Sequence, residues 1–183
     1  MNKLRLSMAI AGLAALMATG CVLISGQFVV TAAFSTFGLD PVTVDSPTTL
    51  AGVPVDLNEV SEYADHKDEL KGVVDLALVG TVTNLTANPT SVEVWMVANP
   101  GAPLTTETAV KSAGTKVWGS LPVPGNGSVK VDWNKSAGLF VGRQALVSEI
   151  KGDGRFDLYA IGTGAYAFRL DKGALIAVVS AGK

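Results

Sequence analysis

Few residues in this chain of 183 could do chemistry: it has one histidine and one cysteine. His66 lies four residues after Glu62, which on a helix would put both on one face. Two such ligands fall short of a zinc site, and Asp65-His66-Lys67-Asp68-Glu69 reads as a solvated helix face. A Ser/His/Asp triad would have to use His66 inside that charged run, and no Gly-x-Ser-x-Gly turn is present to expose a nucleophile. Gly162-Thr163-Gly164 lacks the third glycine and the helix of a dinucleotide loop. Asp153 and Asp157, beside Gly152 and Gly154, lack the ligand density of a calcium loop. A carboxylate pair for glycoside hydrolysis depends on a separation that only folding sets. The sequence thus implies no metal and no cofactor. Cys21, preceded by the small residues Ala18-Thr19-Gly20, remains the side chain with the most specific chemistry.

The three tryptophans suggest binding rather than catalysis. Trp133 alternates with Val129 and Val131, which points it toward the core. Trp95 shares a face with Glu93, and Trp118 with Lys116 and Ser120, so alternation places both on the more polar sides of their strands. Exposed rings there would form a flat platform for a sugar or a partner protein. The plainer reading, that helices cover this face and bury both rings, carries more weight.

The segment before Cys21 has the parts of an export signal. Lys3 and Arg5 form a positive head, residues 6–17 an apolar middle, and residues 18–20 a small-residue cleavage site. Ala18-Thr19-Gly20-Cys21 resembles the lipobox of bacterial lipoproteins, departing from it at Ala18, where leucine is usual. That resemblance implies diacylation of the Cys21 sulfur, removal of residues 1–20 and acylation of the new amino terminus. One acyl chain binds a bilayer only marginally, whereas two or three anchor stably. Val22, rather than Asp, follows the cysteine. By resemblance to Gram-negative sorting this favours the outer membrane, with the domain facing the periplasm or the cell surface. Two readings compete: ordinary cleavage after Gly20 that leaves a free thiol, and an uncleaved anchor over residues 6–24, which Gly12, Thr19 and Gly20 disfavour.

Residues 21–25 are then a short lipidated tether, and residues 26–183 one globular domain. Lys3 and Arg5 leave with the leader, so 12 of the 14 basic residues remain against 16 acidic ones, a net charge near −4. That balance gives no basis for binding nucleic acid or for electrostatic adhesion to anionic lipid. No disulfide can form within the chain.

Short Val/Thr/aromatic runs between Gly, Pro and Asn predict strands. Residues 26–36 form an interior strand, and residues 49–57 a second strand that Pro54 places near an edge. Residues 75–86 and 90–98 pair as a hairpin, residues 115–122 and 127–133 as another, and residues 155–163, 165–171 and 174–180 as three consecutive antiparallel strands. Residues 58–71 and 134–151 read as two peripheral helices, with a further helical turn within 105–113. The sum is a mainly β fold, an antiparallel β-sandwich, immunoglobulin-like in the broad sense, of eight or nine strands. A closed β-barrel is the alternative.

The leading functional expectation is a lipid-anchored envelope protein whose sandwich is a non-catalytic binding or scaffolding module for an envelope protein or a glycan. The alternatives are a barrel that carries a small apolar ligand and a carboxylate-based envelope hydrolase. Intact-mass spectrometry of the mature protein should find a chain that begins at an acylated Cys21; a chain beginning at Met1, or an unmodified Cys21, would rule the anchor out.

Overall fold

A computed structural model describes residues 26–46, 50–98 and 101–182. The expected leader, residues 1–20, and Cys21 lie outside the described residues. Two antiparallel sheets face each other. Sheet A holds β1 (Gln27–Ala33), β2 (Val42–Asp45), β4 (Leu70–Asn84), β7 (Ser128–Val131) and β9 (Ala167–Ala181), in the order β7-β4-β9-β1, with β2 also on β9. Sheet B holds β3 (Gly52–Asp56), β5 (Thr90–Ala98), β6 (Thr115–Val123) and β8 (Arg155–Ile161), in the order β3-β8-β5-β6. The sandwich is as expected; the two sheets stay separate, so the barrel alternative is not formed.

The interior is built by alternation, as in β1, where Val30 and Ala32 are buried while Val29 and Thr31 are exposed. Val42, Leu76, Leu175 and Val179 from sheet A meet Val53, Val92, Phe156 and Leu158 from sheet B in one core cluster. A wholly apolar cavity of about 60 Å³ remains between the sheets, bordered by Phe34, Leu78, Val92, Trp118, Leu158 and Phe168. Lacking polar partners, such a space stays dry.

The strand pairings correct the expected hairpins. Of consecutive strands, only β5 and β6 pair with each other. The connections β4–β5, β6–β7 and β8–β9 each cross from one sheet to the other. Two of these crossings are stitched together: Asn84 N donates to Gly127 O at 2.8 Å and Asn126 N to Thr86 O at 2.7 Å. The buried Asn84 side chain bonds Thr86 N and Asn88 O. Turn residues dictate chain reversal, but they do not say in which sheet the returning strand lies.

β9 is one strand of 15 residues, where two were expected. Asp171-Lys172-Gly173 is a bend within it. Lys172 has φ 54° and donates its N–H to the Asp40 carboxylate at 2.8 Å. Opposite, β4 bends at Gly80 (φ 150°), where a Cβ would meet Leu170 at 2.8 Å. β1 pairs with β9 on one side of this bend and β2 on the other, which makes β1 an edge strand rather than an interior one. β2 was missed because Val-Thr-Val-Asp is only four residues long.

Both long helices are also corrected. Residues 58–71 break into single 3₁₀ turns at Leu57–Glu59 and Lys67–Glu69 around α1 (Ser61–Ala64), because Leu70 and Lys71 already belong to β4. Residues 134–151 split into α3 (Trp133–Ala137) and α4 (Arg143–Lys151), α2 being Glu107–Ala113. The intervening backbone serves β6 instead: Gly119 N donates to Leu139 O at 2.9 Å and Val141 N to Val117 O at 3.0 Å. Among the described residues no helix is long and apolar enough to cross a membrane.

Fully buried Ser136 on α3 ties the two sheets at this side. Its hydroxyl accepts from Leu78 N of β4 at 2.7 Å and from the Trp118 indole of β6 at 3.1 Å. Ser136→Ala strands the Leu78 donor and should cost about 1–3 kcal/mol, read as a lower urea midpoint with an unchanged slope. An unchanged midpoint would show the junction to be unimportant.

Candidate functional site

The proposed lipidation residue, Cys21, lies outside the described residues. Trp118 is 3 % exposed and its indole donates to Ser136. It is a core residue because β6 breaks alternation here: Val117 and Trp118 are both buried, beside a register irregularity against β5. Trp95 is half-buried, in register with Tyr159 on one side and Lys116 on the other. The two rings therefore do not form one platform. Trp133 opens α3, half-buried and outside the interior core, contrary to its expected inward position. His66 is half-buried with its ring centroid 4.7 Å from that of Phe28, so it packs rather than standing solvated on a helix. Among the described residues no group of three or more His, Cys, Asp or Glu could hold a metal ion.

Most of the unusual polar chemistry collects on the outer face of sheet B. Cross-strand pairs put Gly52, Tyr159 and Trp95 in one row and Pro54, Asp157 and Val97 in the next. The β5–β6 connection carries α2 across this face. Its Leu104 N donates to the Tyr159 hydroxyl at 2.9 Å, and that hydroxyl donates to Asp157 Oδ2 at 3.0 Å. Gly52 admits the Tyr159 ring, which a Cβ would meet at 2.6 Å. Asp157 is 5 % exposed.

Glu107 opens α2, whose N-cap Thr106 accepts from Ala109 N. Its Oε1 accepts from the Tyr166 hydroxyl at 2.9 Å and the Ser46 hydroxyl at 3.0 Å. Its Oε2 accepts from Lys111 Nζ at 3.1 Å. Burial pushes this carboxyl up, but the bonds from Tyr166, Lys111 and Ser46 outweigh it and hold Glu107 below its ordinary value. Burial and the bond to Glu107 push Tyr166 up to about 12. Beside this cluster opens a pocket of about 300 Å³ whose lining is rich in hydroxyls, from Ser46, Thr105, Thr106, Thr108 and Tyr166. Such a wall can bind a polar ligand through alternating donors and acceptors.

A second cleft, about 460 Å³ and open to solvent, is lined by Asp56, Glu59, Arg155 and Asp157 among others. Burial pushes Asp157 up, only partly offset by the Tyr159 bond. Asp56 is also raised by burial, but bonds from Asn58 and Arg155 reverse this and leave it low. Carboxyls driven apart in this way can divide the acid and base roles of hydrolysis. Asp56 nevertheless has a structural task, since it caps the 3₁₀ turn at Leu57–Glu59 through Asn58 N at 2.9 Å. Burial pushes Glu93 up, but bonds from Lys116 and Ser120 outweigh it and hold the carboxyl low; the neighbouring Trp95 indole N–H is buried without a hydrogen-bond partner.

No family model matches the chain, and no curated protein matches it. Among solved structures it is similar to a chain described as desmodium yellow mottle tymovirus, with 15 % identity and a TM-score of 0.26. The match covers 86 % of this chain and 90 % of that one. Likeness at this level bears on neither fold nor function.

Sequence reasoning singled out neither Glu107 and Tyr166, 59 residues apart, nor Asp157 as a buried acid. The one local signal was an acidic residue after a Thr cap, which is ordinary helix chemistry.

The raised pKa of Asp157 has a pH consequence. The folded state holds this proton to higher pH than an ordinary carboxyl with its value of 3.8. The linked stability is full below that value and declines as pH rises through the folded-state pKa. Asp157→Asn keeps an acceptor for Tyr159 and should flatten the decline, so it gains on wild type between about pH 4 and pH 7. Urea midpoints at the two pH values decide; a variant that loses ground at the higher pH would show the ionised carboxylate to be stabilising.

Proposed function

We propose that this chain is an exported protein anchored through acylated Cys21 to the outer membrane of a Gram-negative envelope. Its sandwich is a non-catalytic module whose sheet B face docks an envelope protein or a glycan. The observation that carries the reading is the state of the shifted acids on that face. Glu107 is held by three donor residues, Asp56 by Asn58 and Arg155, and Asp157 by Tyr159. Carboxyls whose hydrogen bonds are already taken up by their own fold shape a surface; they are not free to move protons. The hydroxyl-lined pocket and half-buried Trp95 supply the polar and aromatic contacts that binding uses.

The carrier reading has little support, because a ligand pocket needs about 300 Å³ or more and the apolar cavity between the sheets has about 60 Å³. The hydrolase reading keeps one observation in its favour, the opposed pKa shifts of Asp56 and Asp157.

Affinity capture from native envelopes, with the anchor intact, tests the binding reading. Trp95→Ala and Glu107→Ala should each weaken partner capture at least tenfold, about 1.4 kcal/mol, provided the variants keep a cooperative melt. Capture unchanged in both folded variants would remove this face as the docking site. Hydrolysis of an envelope glycan that disappears in a folded Asp157→Asn variant would favour the enzyme instead.

A further inference from the structure

The β5–β6 connection, the end of β2 and the start of β9 meet in one corner of the molecule. Ser46 N donates to Tyr166 O at 2.9 Å and so continues the β2–β9 ladder. Glu107 reaches both of these residues from α2. The hydroxyl-lined pocket of about 300 Å³ opens here. Its size is at the lower end of small-molecule sites, which suits a single ring better than an extended peptide.

The wall of this pocket is set in advance. Tyr166 is 1 % exposed, and its ring stacks on that of Phe168 at 5.5 Å. Tyr166, Ser46 and Lys111 fix the Glu107 carboxylate, yet the Glu107 side chain is 33 % exposed. An ionised carboxylate has about four acceptor positions; three donors leave room for one ligand hydroxyl. Thr105, Thr106 and Thr108 stand exposed on the same wall. Thr106 accepts from Ala109 N at 3.2 Å and keeps its own O–H to donate. The hydroxyls of Thr105 and Thr108 make no bond among the described residues.

Charge cancels in this corner. Among the described residues Glu107 is the only charged one that lines the pocket, and Lys111 pairs with it at 3.1 Å. α2 has seven residues, and its first turn is already capped by Thr106, so it offers nothing to an anion. The matching ligand is therefore uncharged. It carries several groups that both donate and accept, with an apolar edge for half-buried Leu50. An uncharged pyranose ring has these properties. A peptide side chain brings one polar group and would cover the remaining hydroxyls without partners, which costs binding energy.

We propose that the pocket between Ser46, Thr105, Thr108 and Tyr166 receives one uncharged pyranose ring of an envelope glycan. The proposal rests on the docking reading of the sheet B face and makes the partner of that face a glycan rather than a protein.

The full-length acylated protein in detergent is titrated with methyl glucopyranoside, methyl galactopyranoside and N-acetylglucosamine, followed by saturation-transfer NMR. Glucuronate and glucosamine are the charged counterparts. At least one neutral probe should bind, and both charged probes should bind at least tenfold more weakly. Thr105→Val combined with Thr108→Val removes two hydroxyls that carry no bond of the fold. It should weaken the neutral probe at least tenfold with an unchanged melting temperature. No binding of any neutral probe at about 50 mM would overturn the proposal. So would equal binding of a charged probe, or affinity unchanged in the double variant. Periodate, which cleaves vicinal diols, separates the two readings: capture of the partner should be lost from oxidised envelopes. Capture that survives periodate but fails in Trp95→Ala would overturn the glycan and leave the docking face standing with a protein partner. Capture indifferent to periodate, to Trp95→Ala and to Glu107→Ala would remove both.

Discussion

The fold depends on one long ladder, β4 against β9. Each strand has 15 residues, and every other strand of sheet A hangs on one of them. A ladder of that length must coil to enclose a core. It bends where Gly80 faces the Asp171–Gly173 segment, and both glycines are required by close approach: a Cβ on Gly80 would strike Leu170, and one on Gly173 the Phe34 ring. Asp40 fixes the bend from the β1–β2 link by accepting from Lys172 N. The same bend divides the edge of sheet A into β1 and β2.

The closure of the sandwich on the opposite side has a different cause. β7 covers only the second half of the free edge of β4. After β7 the chain turns into α3 and α4, and along the first half of β4 side chains take over the work of a strand. Ser136 accepts from Leu78 N, and Arg143 donates to Val74 O at 2.5 Å. The Ser136 hydroxyl reaches Trp118 in the other sheet as well, so one small polar side chain serves both layers. That bond satisfies the indole N–H of Trp118 inside the core.

The β5–β6 connection shows how fold and candidate site are joined. It is long enough to carry α2 back over sheet B, where it meets two tyrosine hydroxyls, Tyr159 through Leu104 N and Tyr166 through Glu107. Buried acids and phenols then share protons in a low-dielectric layer, and their pKa values separate. Ionisable groups satisfied in this way give rigidity and shape.

Much of the fold was legible in local pattern. Alternation found most strands, Pro54 marked an edge strand, and the sum gave a sandwich. The hairpins and both long helices were not legible, because each turned on a competition beyond local reach. Asn84–Pro89 and Pro124–Gly127 hold good turn residues, yet a turn is the same whether the chain returns to its own sheet or crosses to the other. Leu70 fits a helix stripe and a strand equally well; pairing with Ala181 decides it. Residues 138–142 have helical neighbours, but the open edge of β6 claims their backbone groups. The Glu107–Tyr166–Ser46 cluster is drawn from three distant segments, so no spacing could announce it.

What the sequence by itself determined is therefore set by chain neighbours: the alternation of the strands, the composition of the domain and the chemical singularity of Cys21. What only the tertiary structure decided is set by approach in space. It chose which strands pair, which tryptophan is buried and which acids lose water. The physical reason is range. Alternation and turn chemistry act over a few residues, whereas burial and hydrogen-bond partnership at Ser136, Glu107 and Asp157 exist only once the two sheets have closed.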